Sequence, residues 1–210
     1  VPLVRLRAQA MQEAVAVGAG AMAAVLGLDA AKVVDICAQA QAGFASGSGE
    51  VVQAANFNDP GQTVISGSKA AVDKACEMLK AAGAKRTLLL PVSAPFHCAL
   101  MQPAAERLRE QLAGLTLNAP HIPVINNIDV AQESDASRIR DALYRQAFGP
   151  VRWVETIERM QHIGVSHVVE CGPGKVLAGM VKRINPALHA QAMFDPQTLS
   201  ETQIFLTEQP

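Results

Sequence analysis

Residues 50–66 read EVVQAANFNDPGQTVIS, two strand-forming runs joined by Asn58-Asp59-Pro60-Gly61. Proline presets φ, and Asn, Asp and Gly close tight turns, so the runs 50–57 and 62–66 read as the arms of a hairpin. Upstream, 21–28 (AMAAVLGL) is a short apolar run and reads as a strand. Asp29 can cap the helix that follows, 30–41, with Val33, Val34 and Cys37 expected inward. The stretch 43–49 (GFASGSG) reads as a loop. Downstream, 69–82 is a helix with Val72, Ala75, Cys76 and Leu79 on one stripe, closed by Gly83, and 85–92 (KRTLLLPV) is a last strand. The order is β-α-β-β-α-β, a ferredoxin-like unit.

The flanks have a different rhythm. Residues 3–17 are helical by period through Leu3, Leu6, Ala10 and Ala14, until Gly18 and Gly20 break the helix. Arg7 and Met11, four apart, share another face of that helix. Beyond the loop 93–98 (SAPFHC), residues 101–113 form an amphipathic helix through Ala104, Ala105, Leu108 and Leu112. A strand at 122–128 (IPVINNI), helices at 136–147 and 151–163, and a strand at 167–171 (HVVEC) follow. Gly172-Pro173-Gly174 turns the chain into a helix at 176–184, with Val176, Leu177, Met180, Val181 and Ile184 expected inward. A weak strand near 190–193 and a polar tail end the chain. Strands alternating with helices predict a mostly parallel, layered α/β sheet. The expected fold is therefore α/β: a larger subdomain of residues 1–17 and 93–210, with a small ferredoxin-like subdomain, 18–92, inserted in it.

Of the 210 residues, half are apolar, enough for a substantial core, and the net charge is −1. That balance argues against a nucleic-acid binder, which carries a basic stripe, and against disorder, which needs low hydrophobicity and high net charge. No stretch approaches the roughly 18 unbroken apolar residues of a membrane span. Cys37, Cys76, Cys98 and Cys171 form no C-x-x-C pair and no zinc-ligand spacing with histidine, so they are expected to be free thiols in a reducing cytoplasm. The chain begins at Val1, inside a helical pattern.

Few residues point to chemistry by themselves. His97 sits in a loop just after a strand, where α/β proteins place functional side chains, and imidazole passes protons near neutral pH. Position alone does not separate a base from a loop histidine held by its neighbours. Arg7 offers a guanidinium fork for a carboxylate, or is a solvated helix residue beside Arg5. Gly172-Pro173-Gly174-Lys175 opens a helix but lacks both phosphate-loop patterns, and proline removes an amide, so a structural turn is expected. Asn56, Asn58, Asn126 and Asn127, at strand ends, line a pocket or cap backbone. The serines show no G-x-S-x-G elbow. His121, His162, His167 and His189 have no partners at metal-ligand spacing.

Together the stretches RAQAMQEAV, GAMAAVLGL, NFNDPGQTVISG, AGAKRTLLLPVSAPFHCALMQPA, PVINNID, RQAFGPVRW and ECGPGKVLAGMVKRI carry a resemblance. In that order they resemble the malonyl-CoA:acyl carrier protein transacylase family of fatty acid synthesis, over nearly the whole chain. The resemblance implies an α/β-hydrolase-like large subdomain with a ferredoxin-like insert, and a Ser–His dyad working through an acyl-serine. His97 in PFHCALM matches the family's histidine, and Arg7 in LRAQAMQ its malonyl-binding arginine. Gln146 in RQAFGP matches the glutamine whose backbone carbonyl orients the histidine. Met11 and Phe96 are expected to wall the acyl pocket, Phe96 leaning toward malonyl over methylmalonyl. The implied substrates and partners are malonyl-CoA and phosphopantetheinylated acyl carrier protein. No cofactor, metal, nucleic acid or membrane is implied, and a monomer is expected.

The family's GHS-x-G elbow and first oxyanion-hole residue precede the arginine helix, so about a third of the family domain is expected before Val1 and this chain alone is expected to be inactive. Two other readings share the observations. One is an acyltransferase domain from a polyketide or multidomain fatty acid synthase, and the other is a nonenzymatic fragment that binds carrier protein.

Overall fold

The computed structural model describes residues 2–207. The chain forms two compact units, Val1–Trp153 and Val154–Pro210. The first holds α1 (Pro2–Glu13), β1 (Gly20–Leu26), α2 (Ala30–Ala42), β2 (Val52–Asp59), β3 (Gln62–Ser68), α3 (Lys69–Ala81) and β4 (Arg86–Leu89). A 3₁₀ turn (Ala99–Met101), α4 (Gln102–Ala113) and α5 (Ala136–Phe148) follow. Helix α6 (Trp153–His162) starts at the boundary, and β5 (His167–Cys171), α7 (Val176–Ile184), β6 (His189–Met193) and α8 (Pro196–Thr207) complete the second unit.

The four strands β1 to β4 form one antiparallel sheet in the order β2-β3-β1-β4. Alternation along β1 gives the sheet two buried faces. Ala23 and Val25 point to α2 and α3 and join a core with Val33, Ile65, Val72 and Leu79. Met22 and Ala24 point the other way, where Ala55, Val64, Leu90 and Phe96 pack against them. Asp29 caps α2 by accepting from Ala31 N at 2.8 Å. On that helix Val33, Ile36, Cys37 and Ala40 are buried while Val34 is exposed, because only the first four follow the i, i+3, i+4, i+7 stripe. On α3, Val72, Ala75, Cys76 and Leu79 are all buried, and Gly83 ends the turn at φ +101°.

Outside the sheet, Ala105, Leu108 and Leu112 of α4 pack with Ala147 of α5 and Leu3 and Leu6 of α1. Helix α1 stops at Glu13, short of residue 17. There Val15-Ala16-Val17 gives way to a turn closed by Ala19 N on Ala16 O, with Gly18 at φ +82°. The strand expected at 85–92 shortens to four residues, since Pro91 brings no amide to a ladder.

Several expectations fail for identifiable reasons. No strand forms at 122–128, where Ile122 and Val124 are exposed and the only pairing is a bridge between Ile125 and Gln132. Pro120 and Pro123 remove donors, and Asn126 closes a turn by accepting from Asp129 N through its side chain and from Val130 N through its carbonyl. Among the described residues, parallel pairing is limited to β5 with β6, in register from His167↔His189 to Cys171↔Met193, and an isolated bridge between Asn56 and Val151. The β-α-β-β-α-β segment, with its hairpin, pairs antiparallel throughout. On α7, Ala178 and Val181 are buried but Val176 and Leu177 are exposed. The polar tail contains α8, signalled by Asp195-Pro196: Asp195 accepts from Thr198 N at 2.8 Å and Pro196 begins the helix. The four cysteines are free, three of them buried and Cys171 exposed.

Leu79 is fully buried in the sheet–helix core. Leu79→Ala should lower unfolding free energy by about 2–5 kcal/mol, read from urea denaturation.

Candidate active site

Helix α5 ends at Phe148, so the carbonyl of Gln146 lies in its last turn. Such carbonyls lack intrahelical partners, and here the residue four positions on is Pro150, which has no N–H to give. The bond is supplied by His97, whose Nδ1 lies 3.1 Å from Gln146 O. A carbonyl only accepts, so Nδ1 carries the proton in the neutral ring and Nε2 keeps its lone pair. The tautomer of His97 is therefore set by a helix end and a proline.

His97 occupies the left-handed region at φ +60°, which a non-glycine residue adopts only when its surroundings impose it. Those surroundings are hydrogen bonds on both sides. Phe96 N donates to Ala94 O, Cys98 Sγ to Pro95 O, and Met101 N to Cys98 O, each within 3.1 Å. Ala99 N donates to Gln53 Oε1 of β2 at 2.7 Å. Burial pushes the His97 pKa below that of free imidazole, and the Arg7 cation pushes the same way, against the opposing bond to the Gln146 carbonyl. These influences favour the neutral ring.

Arg7, Met11, Asn56, Asn58, Phe96 and His97 line one cavity of about 520 Å³. Arg7 is half-buried, whereas Arg5 is exposed, and Met11 is buried on the same face one turn on. Burial lowers the Arg7 pKa, but a guanidinium stays charged. Among the described residues no carboxylate forms an ion pair with it. A second, larger cavity of about 970 Å³ is lined by the 44–50 loop, Gln53, Phe57, Phe148 and Pro150. Among the described residues, His97 alone lines both.

Edge strand β2 holds these parts in place. Two register shifts, at Ala54/Asn56 and Phe57/Asp59, interrupt its ladder with β3. They leave Asn56 and Asn58 in the smaller cavity and Phe57 in the larger. The free edge of β2 takes Val151, which accepts from Phe57 N at 3.0 Å and donates to Ala55 O at 2.8 Å. Gln146 Nε2 donates to Pro150 O at 3.1 Å. Gly149 fits where a Cβ would meet Ile128 and the Arg145 carbonyl at 2.4 and 2.8 Å.

Other candidates have structural employment. Glu170 accepts from Ala178 N at 2.8 Å, placing a carboxylate at the α7 N-terminus behind Gly172-Pro173-Gly174-Lys175. That is a structural turn, disfavouring an anion. Asn126 and Asn127 line a separate cavity with Leu117 and Ile139. His167 and His189 stack with centroids 5.1 Å apart, and no group of three metal-ligating side chains occurs among the described residues. Ser68 ends β3 and precedes α3, but its backbone is extended at φ −66° and its hydroxyl bonds Glu50. Ser93 accepts from Gln12.

The acyl transferase domain family model matches residues 1–193. The chain belongs to this family. It is 51% identical over 200 residues to the malonyl CoA-acyl carrier protein transacylase of Escherichia coli (strain K12), covering 95% of this chain and 63% of that protein. The Bacillus subtilis (strain 168) transacylase is 42% identical over 196 residues, 93% of this chain and 60% of its own length. Among solved structures, the acyl-carrier-protein S-malonyltransferase from Burkholderia pseudomallei is 58% identical with a TM-score of 0.90, over 96% of this chain and 64% of that one. A malonyl-transacylase in complex with a type II polyketide synthase acyl-carrier protein matches at 47% identity and a TM-score of 0.90, over 95% and 62%. The mixed α/β fold is thus one that acyl transferase domains share, and the chain spans less than two thirds of the length of these relatives.

Two measurements check the geometry. Since the folded pKa of His97 lies below the free value, its contribution to stability is full above the ordinary imidazole range and falls as pH drops through it. NMR titration should place His97 below about 6.5, and Arg7→Met, which removes a neighbouring cation, should move it up. With φ at +60°, His97→Gly should be more stable than His97→Ala by about 1 kcal/mol, read from denaturation.

Proposed function

We propose that this chain carries the base, its orienter and the carboxylate receptor of an acyltransferase that moves malonyl from malonyl-CoA to the phosphopantetheine thiol of acyl carrier protein in fatty acid synthesis. One observation carries the reading. A neutral imidazole, with its free lone pair on Nε2, stands where two cavities meet, and one of them holds an arginine without a carboxylate partner. The relatives' names point to the same substrates.

In this reading His97 is the base and Nε2 takes the proton of the family's elbow serine as Oγ bonds to the thioester carbon. The carbonyl electron pair moves onto oxygen and returns as the C–S bond breaks, and the departing sulfur takes the proton from Nε2. The carrier-protein thiol then attacks the acyl-serine by the same steps in reverse. Gln146 O, 3.1 Å from Nδ1, holds the ring and stabilises the imidazolium without a buried carboxylate. Arg7 grips the malonyl carboxylate, while Met11 and Phe96 wall the acyl end. A hydrogen bond to a charged group is worth about 1.5–3 kcal/mol, and acetyl forfeits it.

The fold assignment follows suit. The 18–92 segment is read as a ferredoxin-like subdomain, on the strength of the β2-β3-β1-β4 order, and 1–17 with 93–210 as the α/β-hydrolase-like part. No serine lines the Arg7 cavity, so the nucleophile is assigned to the elbow of the longer relatives.

Calorimetry tests the reading. The chain should bind malonyl-CoA at least about tenfold tighter than acetyl-CoA, and Arg7→Met should erase the difference. Equal affinities would remove Arg7 from the site. After incubation with malonyl-CoA the intact mass should be unchanged; a stable adduct on a serine would overturn the nucleophile assignment.

A further inference from the structure

Gln53 reads as an unremarkable exposed residue on an edge strand, yet it touches the one strained loop in the site. Its Oε1 accepts the Ala99 amide at 2.7 Å, two residues after His97. Two residues further along β2, Ala55 O accepts from Val151 N, and Phe57 N donates to Val151 O. Val151 follows the Gln146 turn. A single strand thus pins both halves of the His97–Gln146 pair, one through a side chain and the other through backbone.

We propose that Gln53 is a positioning residue for His97: by holding the Ala99 amide it keeps His97 in its left-handed conformation, with Nδ1 on the Gln146 carbonyl. The inference rests on His97 being the base. The physical case is one of competition. A left-handed non-glycine residue is under constant pressure to relax to negative φ. Relaxation would rotate the peptide that follows, carry the Ala99 N–H away from β2 and swing the ring off its acceptor. The bonds from Phe96 N, Cys98 Sγ and Met101 N all close within the segment 94–101 and could move with it. Phe96 packs on the sheet and Cys98 lies against Ser66 of β3, whereas Gln53 Oε1 ties the backbone just after His97 to the sheet. Its length matters: glutamine reaches the amide, and asparagine, one methylene shorter, falls short from the same backbone. Gln53 also lines the larger cavity, so a contact with a bound ligand is the competing role.

The 210-residue chain itself serves for the test, without ligand, by ¹⁵N-edited NMR of the His97 ring at about pH 8, where the imidazole is neutral. Gln53→Met keeps length and removes the acceptor, Gln53→Asn withdraws it, and Gln53→Glu restores it. In the Met and Asn variants, Ala99 amide exchange should quicken by about tenfold. The His97 ring should pass from a fixed Nδ1–H tautomer to an averaged pair, and Gln53→Glu should return both signals. Ring resonances unchanged in Gln53→Met and Gln53→Asn would overturn the proposal, leaving Gln53 as a ligand contact or a plain structural residue. If Gln53→Met does not fold, Gln53→Asn decides. Both readouts are taken without ligand, so they stand apart from the malonyl-CoA preference that tests the function.

Discussion

A helix-end carbonyl that its own helix cannot satisfy sets the terms for this site. Gln146 O would bond the amide four residues on, but that residue is Pro150. Leaving the carbonyl unpaired in a half-buried place would cost about 1–3 kcal/mol, and His97 supplies the donor. The consequence for the histidine is larger than for the helix. With Nδ1 committed as donor, Nε2 keeps its lone pair, and a ring that lines both cavities is held without any carboxylate. Had an aspartate stood at Nδ1, it would have raised the ring's proton affinity in a site where burial and Arg7 both lower it.

The antiparallel sheet makes that bond possible at a separation of 49 residues. Its face opposite α2 and α3 is buried under Leu90 and Phe96, which seats the His97 loop. Its edge strand β2 uses backbone groups left free by the sheet order to take Val151, which seats the Gln146 turn. The two register shifts in β2 accompany the placing of Asn56 and Asn58 in one cavity and Phe57 in the other. An uninterrupted ladder would give neither the same twist nor the same facing.

Local chemistry made much of this legible in the sequence. The Asn58-Asp59-Pro60-Gly61 turn, the Asp29 cap and the stripe from Val72 to Leu79 lie within a few residues of the groups they act on, and each forms as read. What was illegible depends on partners distant in sequence. Nothing in IPVINNI reveals that no strand lies beside it, nor that Asn126 turns back on itself. Spacing put Arg7 and Met11 on one face, but that the face looks at His97 is a property of the packed loop. Gln146 could be found only through the resemblance, because a backbone carbonyl leaves no side-chain signature. Gln53 had no signal at all, being a polar residue on an exposed strand position whose role lies in a bond to residue 99.

The placement of Arg7 has a consequence for the strength of the base. Its cation shares a cavity with His97 and holds the ring's proton affinity down. Burial does most to favour the neutral imidazole and the guanidinium adds to it, which in the proposed reaction is the state a base must start in, but it also makes a weaker base. A carboxylate docked on Arg7 cancels most of that field, and in a site of low effective dielectric the change is felt across the cavity. In the proposed reaction the ring's affinity for a proton would then rise when an acyl group bearing an anion arrives, and stay low when acetyl enters instead. Selectivity in the proposed reaction thus has two sources in one side chain. Arg7 would hold the carboxylate, and through the carboxylate it would release the histidine to take its proton.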